Sequence, residues 1–184
     1  NNQISSTNGT TTTSVVLSGI VLGWSGAVVQ PSVTTSTCNY NQININNGLS
    51  ENTNGIWSRI GTATSNLTLN NNVIALQNTA TIAVAGKNMR GIYQDIAIGE
   101  LITSNNNISL NYENTDHAHN VYFIQADIAV ALNRVAEDNI LQTPLGKNLR
   151  TSGIAIGISH SGLSSGIVNI KRNNISINKG NVTS

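Results

Sequence analysis

The sequence predicts an all-β fold: a β-sandwich or jelly roll of about ten strands with an N-terminal extended strand. Three observations carry that prediction. Ile-Ala-(Val/Ile)-(Ala/Gly) occurs four times, at Ile82–Ala85, Ile96–Gly99, Ile128–Ala131 and Ile154–Gly157. Alternation of period two puts the β-branched residues on one side of a pleat and Ala or Gly on the other, where another layer of backbone can come close. A second motif, a short polar–apolar alternation bracketed by amides, recurs at Gln42–Asn46, Asn66–Asn70, Asn107–Asn111 and Asn174–Asn178. Its polar positions suit the outer face of a half-buried strand. Thirdly, the copies of the Ile-Ala motif lie 14, 32 and 26 residues apart. A β-solenoid needs a nearly constant coil length, so the spacing favours the sandwich.

Taken in order, residues 1–14 are Asn, Gln, Ser, Thr and Gly with one Ile, a polar tail by composition. Val15–Trp24 follows, apolar in both alternation phases, with Val16, Ile20, Leu22 and Trp24 on one face and Val15, Leu17 and Val21 on the other. That is the pattern of a strand covered on both sides. The division expected is therefore residues 1–29 as tail and apolar strand, and residues 30–184 as the β-sandwich domain. Asn47-Gly48 and Asn54-Gly55 read as tight turns. Ile128, Ala131, Leu132 and Val135 have helical spacing, but the β-branched run and the match to the other Ile-Ala copies favour a strand.

Composition narrows the function. Charged residues are 9% of the chain, against about 25% in ordinary globular proteins. Asn, Ser, Thr and β-branched residues stand in their place, as in extracellular fibres, adhesins and surface layers. A net charge of +1 gives no pull towards nucleic acid or an anionic membrane. The longest apolar run, Val15–Val29, contains Ser18, Ser25 and glycines and falls short of the roughly 20 apolar residues of a spanning helix. The chain starts at Asn1 without a basic leader, so a mature, secreted, cell-surface form is expected. Cys38 is the single cysteine and reads as a buried small apolar residue.

No catalytic or cofactor motif is read in the chain, so neither an enzyme nor a bound cofactor is expected. His117 and His119 are two apart, and in a strand would point the same way. They stand in a polar loop, Asn114–Asn120, without the spacing of a zinc signature, and no metal is expected there. Asp95 and Asp127 each follow a Gln and adjoin an Ile-Ala motif, and a buried carboxylate there would need a partner such as Arg90 or Arg134, or an isopeptide link to Lys87 or Lys147. Trp24 and Trp57 offer surfaces for sugar rings, or core packing. Asn8, Asn66, Asn107, Asn174 and Asn181 open Asn-x-Ser/Thr sequons and are candidate glycosylation sites.

The layout of Asn1–Val29, a charge-free tail leading into a strand apolar on both faces ahead of a β domain, resembles donor-strand filament subunits. These are the bacterial chaperone–usher pilins and the archaeal thread-type surface filaments. The paired cysteines of many pilins are absent. The resemblance implies a structural subunit of an extracellular filament that polymerises with itself by N-terminal strand exchange. Val15, Val16, Leu17, Ile20, Val21, Leu22 and Trp24 would then be the subunit interface. The alternative is a monomeric adhesin or glycan-binding β domain whose partner is a host or surface glycan.

Overall fold

The computed structural model describes residues 2–8, 16–23, 35–48, 52–59, 64–79, 86–112, 119–127, 131–151, 153–162 and 166–180. Among these the chain is strand and turn, with no helix. Three sheets form. The first, sheet A, holds β1 (Gln3–Asn8), β4 (Gln42–Asn47), β7 (Val73–Asn78), β10 (Asn107–Tyr112), β13 (Ile140–Gln142) and β16 (Asn174–Ser176) in that order. Sheet B holds β2 (Leu17–Leu22), β5 (Thr53–Ser58), β8 (Asn88–Gln94), β11 (Asn120–Asp127) and β14 (Ala155–Ser161). Sheet C holds β3 (Thr35–Asn39), β6 (Asn66–Asn70), β9 (Ile98–Ser104), β12 (Ala131–Glu137) and β15 (Ile167–Lys171).

Consecutive strands always enter different sheets, and every strand pairs in parallel with the strand one coil away. The molecule is a three-sided parallel β-solenoid. This corrects the expected sandwich, whose sheets are antiparallel. Gln3 pairs with Gln42, Gln42 with Val73, Val73 with Asn107, Asn107 with Ile140 and Ile140 with Asn174, so successive coils run 39, 31, 34, 33 and 34 residues. The period is there, but the Ile-Ala motif does not report it. Ile98-Gly99 opens β9 in sheet C, whereas Ala155–Gly157 lies in β14 of sheet B, so their separation mixes two sides of the coil. The copies at 82–85 and 128–130 lie outside the described residues.

Donor-strand exchange is corrected too. Leu17, Ile20, Val21 and Leu22 lie in β2, which pairs with β5 of the same chain from Leu17↔Thr53 to Leu22↔Ser58. The strand is also not covered on both faces as expected: Ser18 and Val21 face outward and Val21 is exposed, and the strand its edge pairs with belongs to its own chain. Val16 precedes β2 and is exposed; Val15 and Trp24 lie outside the described residues.

Aliphatic columns fill the interior. Ile43, Ile74, Ile108 and Leu141 stack rung on rung in sheet A, and Ile56, Ile92 and Ile124 in sheet B, all fully buried. Glycines in sheet B let sheet A close in. A Cβ on Gly55 would come within 2.5 Å of Ile74 Cγ2, and one on Gly91 within 2.5 Å of Ile108 Cγ2. Gly55 is therefore a strand residue that makes room for an isoleucine, not the turn that Asn54-Gly55 suggests.

The corner from sheet C to sheet A is the same in every coil. Two residues separate β3 from β4, β6 from β7, β9 from β10, β12 from β13 and β15 from β16. The first of each pair, Tyr40, Asn71, Asn105, Asp138 or Arg172, has φ between 54° and 57°, the left-handed region that Asn and Asp enter most readily. The second is always Asn: Asn41, Asn72, Asn106, Asn139 and Asn173. Each of the first four donates its backbone N–H and its side-chain Nδ2 to Oδ1 of the next, at 2.8–3.1 Å. Nδ2 also reaches back to a carbonyl of the preceding coil, as from Asn106 to Leu69 and from Asn139 to Thr103. Asn2 joins the start of the ladder through Asn41 Oδ1. Variation in coil length is thus absorbed at the other two corners.

Candidate functional site

Sheet B has the most varied chemistry on its outer face, because its strands share one local pattern. In Met89–Gln94 the residues alternate until Gly91 and Ile92, both buried, which leaves Arg90 and Tyr93 outward. The parallel register lines up the equivalents. One outward row reads Ser18, Asn54, Arg90, Tyr122, Ile156; the other reads Val21, Trp57, Tyr93, Gln125, Ser159. Rungs about 4.8 Å apart place these side chains as a ladder along the solenoid axis.

The polar members are linked across all five strands. Asn54 Nδ2 donates to Ser18 Oγ (3.2 Å) and Arg90 Nη1 to Asn54 Oδ1 (3.5 Å). Arg90 Nε donates to Gln125 Oε1, and Gln125 Nε2 to Asp127 Oδ2 (2.7 Å). Ser161 Oγ closes the chain on Asp127 Oδ1 (2.6 Å). The Arg90 guanidinium lies 4.1 Å from the Tyr93 ring centre. Just after β5, Arg59 lies 5.4 Å from the Trp57 ring centre and 3.4 Å from Asp95. Burial pushes the Tyr93 phenol up, with Arg90 opposing it, and burial pulls Arg90 down. Trp57 Nε1 and Asp95 Oδ1 are shielded and have no hydrogen-bond partner.

So Asp95 and Asp127 share one face on adjacent rungs, each already held by a neighbour. Asp95 meets Arg59, where Arg90 or Arg134 had been the expected partner, and Asp127 meets Gln125 and Ser161. Two guanidinium groups and two carboxylates balance each other. The arrangement sets aromatic rings beside a linked row of donors and acceptors; Asn54, Tyr122 and Gln125 on this face are buried.

The other expected residues fall elsewhere. His119 is buried, with Nδ1 at 2.9 Å from the Tyr112 hydroxyl, and burial raises the Tyr112 phenol. His117 lies outside the described residues, and among these no three His, Cys, Asp or Glu converge as metal ligands. Cys38 is a buried free thiol whose pKa burial raises. Of the sequon asparagines, Asn66 and Asn174 are exposed, Asn107 is half-buried in β10, Asn8 ends β1 and Asn181 lies outside the described residues. Gly162-Leu163-Ser164-Ser165-Gly166 has the Gly-x-Ser-x-Gly spacing, which the motif reading missed; Ser164 lies outside the described residues.

Sequence reasoning also missed the sheet B face, although a signal existed. Ser18-Gly19-Ile20, Asn54-Gly55-Ile56, Arg90-Gly91-Ile92 and Ile156-Gly157-Ile158 mark one position of the coil. Comparison with family models, with curated proteins and with solved structures finds no match to this chain.

Proposed function

We propose that the protein is an extracellular carbohydrate-binding module that holds a neutral polysaccharide against the outer face of sheet B. The observation that carries this reading is the pairing of aromatic rings with guanidinium and carboxylate groups on adjacent rungs: Trp57 with Arg59 and Asp95, Tyr93 with Arg90 and Asp127. A sugar presents an apolar C–H face and a rim of hydroxyls. The face suits an aromatic ring and the rim suits charged donors and acceptors, whose hydrogen bonds are the stronger kind. The balance of charge disfavours a polyanion, whose binding needs surplus cations. The 9% content of charged residues fits an exported surface protein.

A carbohydrate array tests it. The intact protein is expected to retain neutral polysaccharides, and Trp57→Ala to weaken that retention at least about fivefold, the loss of a ring contact of about 1–3 kcal/mol. An intact protein that retains no carbohydrate, or a variant that retains it equally well, overturns the reading.

A further inference from the structure

Among the described residues, β14, β15 and β16 form the coil nearest the C-terminus, and their strands pair with β11, β12 and β13. The side chains of β15 and β16 are exposed throughout. Inside this coil His160 continues an inward column, Ser58, Gln94, Ala126, whose other members are fully buried. Both ring nitrogens of His160 are shielded and neither has a hydrogen-bond partner. Arg134 stands on the interior side of β12 and is itself buried, with Nη1 donating to the carbonyl of Ser161, the residue after His160.

The other ionisable groups nearby face away. On β11, Asp127 points outward to Ser161, and Tyr122 belongs to the outward row. Glu137 of β12 and Lys171 of β15 pair with each other at 3.1 Å near the corner. The described inward side chains of β15 and β16 are Val168, Ile170 and Ile175. Protonating His160 would therefore place a second cation beside Arg134 where no carboxylate among the described side chains faces it, at a cost in desolvation.

We propose that the coil of β14, β15 and β16 is an acid-released unit: protonation of His160 frees these strands while the preceding coils stay folded. The ladder contact from Asn139 to Asn173 and the bonds from Arg172 to Asp138 hold the unit closed at neutral pH. Opening also removes Ser161 from Asp127, so the outer face of sheet B changes with it.

Burial and Arg134 lower the His160 pKa to about 4 in the closed coil, against an ordinary value of about 6.5 once opened. The opened form thus binds more protons between those values. Stability of the coil is complete above about pH 6.5 and falls as the pH drops towards 4. At pH 5 the opening equilibrium is raised about twentyfold over pH 7.

Amide hydrogen exchange of the intact protein at pH 7 and pH 5, corrected for intrinsic rates, tests this. The expected result is about a twentyfold loss of protection in 155–176 with 89–94 and 107–112 unchanged. His160→Gln and His160→Phe are both expected to abolish the difference. Equal protection of 155–176 at the two pH values in the intact protein overturns the proposal. So does simultaneous loss over the whole chain, or the same acid response in either folded variant.

Discussion

Asn106→Ala is expected to destabilise the protein by on the order of 4 kcal/mol or more, enough to unfold it under mild conditions. The reason is what the side chain leaves behind. Asn106 Oδ1 accepts from the backbone N–H and from Nδ2 of Asn72, and its own Nδ2 donates to Leu69 O and Asn139 Oδ1. Removing it takes the partner from the buried Asn72 backbone N–H and from the Leu69 carbonyl, each worth about 1–3 kcal/mol when unpaired. It also takes one bond each from Asn72 Nδ2 and Asn139 Oδ1, which keep Cys38 O and the Asn106 backbone N–H. Water cannot easily replace the amide, because Asn72, Asn106 and Asn139 are 0–1% exposed. Asn106→Asp should be hardly better, since a carboxylate has no Nδ2 donors and adds a buried charge. The adjacent Asn107→Ala lies at an outward position of β10 and should stay within about 0.5 kcal/mol. Urea denaturation of the three variants checks the order. A mild Asn106→Ala would mean that the ladder is not a structural support.

Gly91→Val is expected to cost about 3 kcal/mol. The added Cβ meets Ile108 Cγ2 at 2.5 Å and the carbonyl oxygen of Phe123 at 2.6 Å. The isoleucine can shift a little. The carbonyl cannot, because Phe123 lies in β11, which pairs with β8 on both sides of it. The strand must move off sheet A, and the two aliphatic columns part. The reverse case is already in the sequence. Phe123 is the inward residue between Tyr122 and Ile124, a position held by glycine in β2, β5, β8 and β14. A thermal melt of Gly91→Val beside Gly86→Ala separates space from backbone freedom. Gly86 has φ near +78° with open space around its Cβ direction, so a substitution there strains only the backbone.

These two positions also show what was readable in the sequence. All-β structure and the buried alternate residues of Asn66–Asn70 and Asn107–Asn111 followed from periodicity, because burial of alternate side chains needs only local information, and burial of Cys38 followed from the apolar character of a lone cysteine. The solenoid did not follow. Its period is carried by the corner asparagines, Asn72, Asn106, Asn139 and Asn173, in a chain where asparagine is everywhere. Reading them required the left-handed residue ahead of each, and Tyr40 and Arg172 disguise that position among Asn71, Asn105 and Asp138. Strand β2 shows the same limit: its apolar residues were legible, whereas the exposure of Val21 and the identity of its neighbour were not. Of the candidate face, Trp57 and the two aspartates stood out singly. Arg90 and the Gln ahead of each aspartate were noted beside them, but Arg59 and Tyr93 joined only through register, which brings together residues some 35 positions apart.

Both the carbohydrate face and the acid-released coil exist only if the coils stack in register on the asparagine ladder. Amide hydrogen exchange of the corner residues at neutral pH measures that directly. The account predicts that the backbone amides of Asn72, Asn106 and Asn139, bonded to Oδ1 of the next rung, exchange within about tenfold of the Ile108 amide in the centre of sheet A. Exchange of these three amides at the rates of open turns, with Ile108 protected, would contradict it.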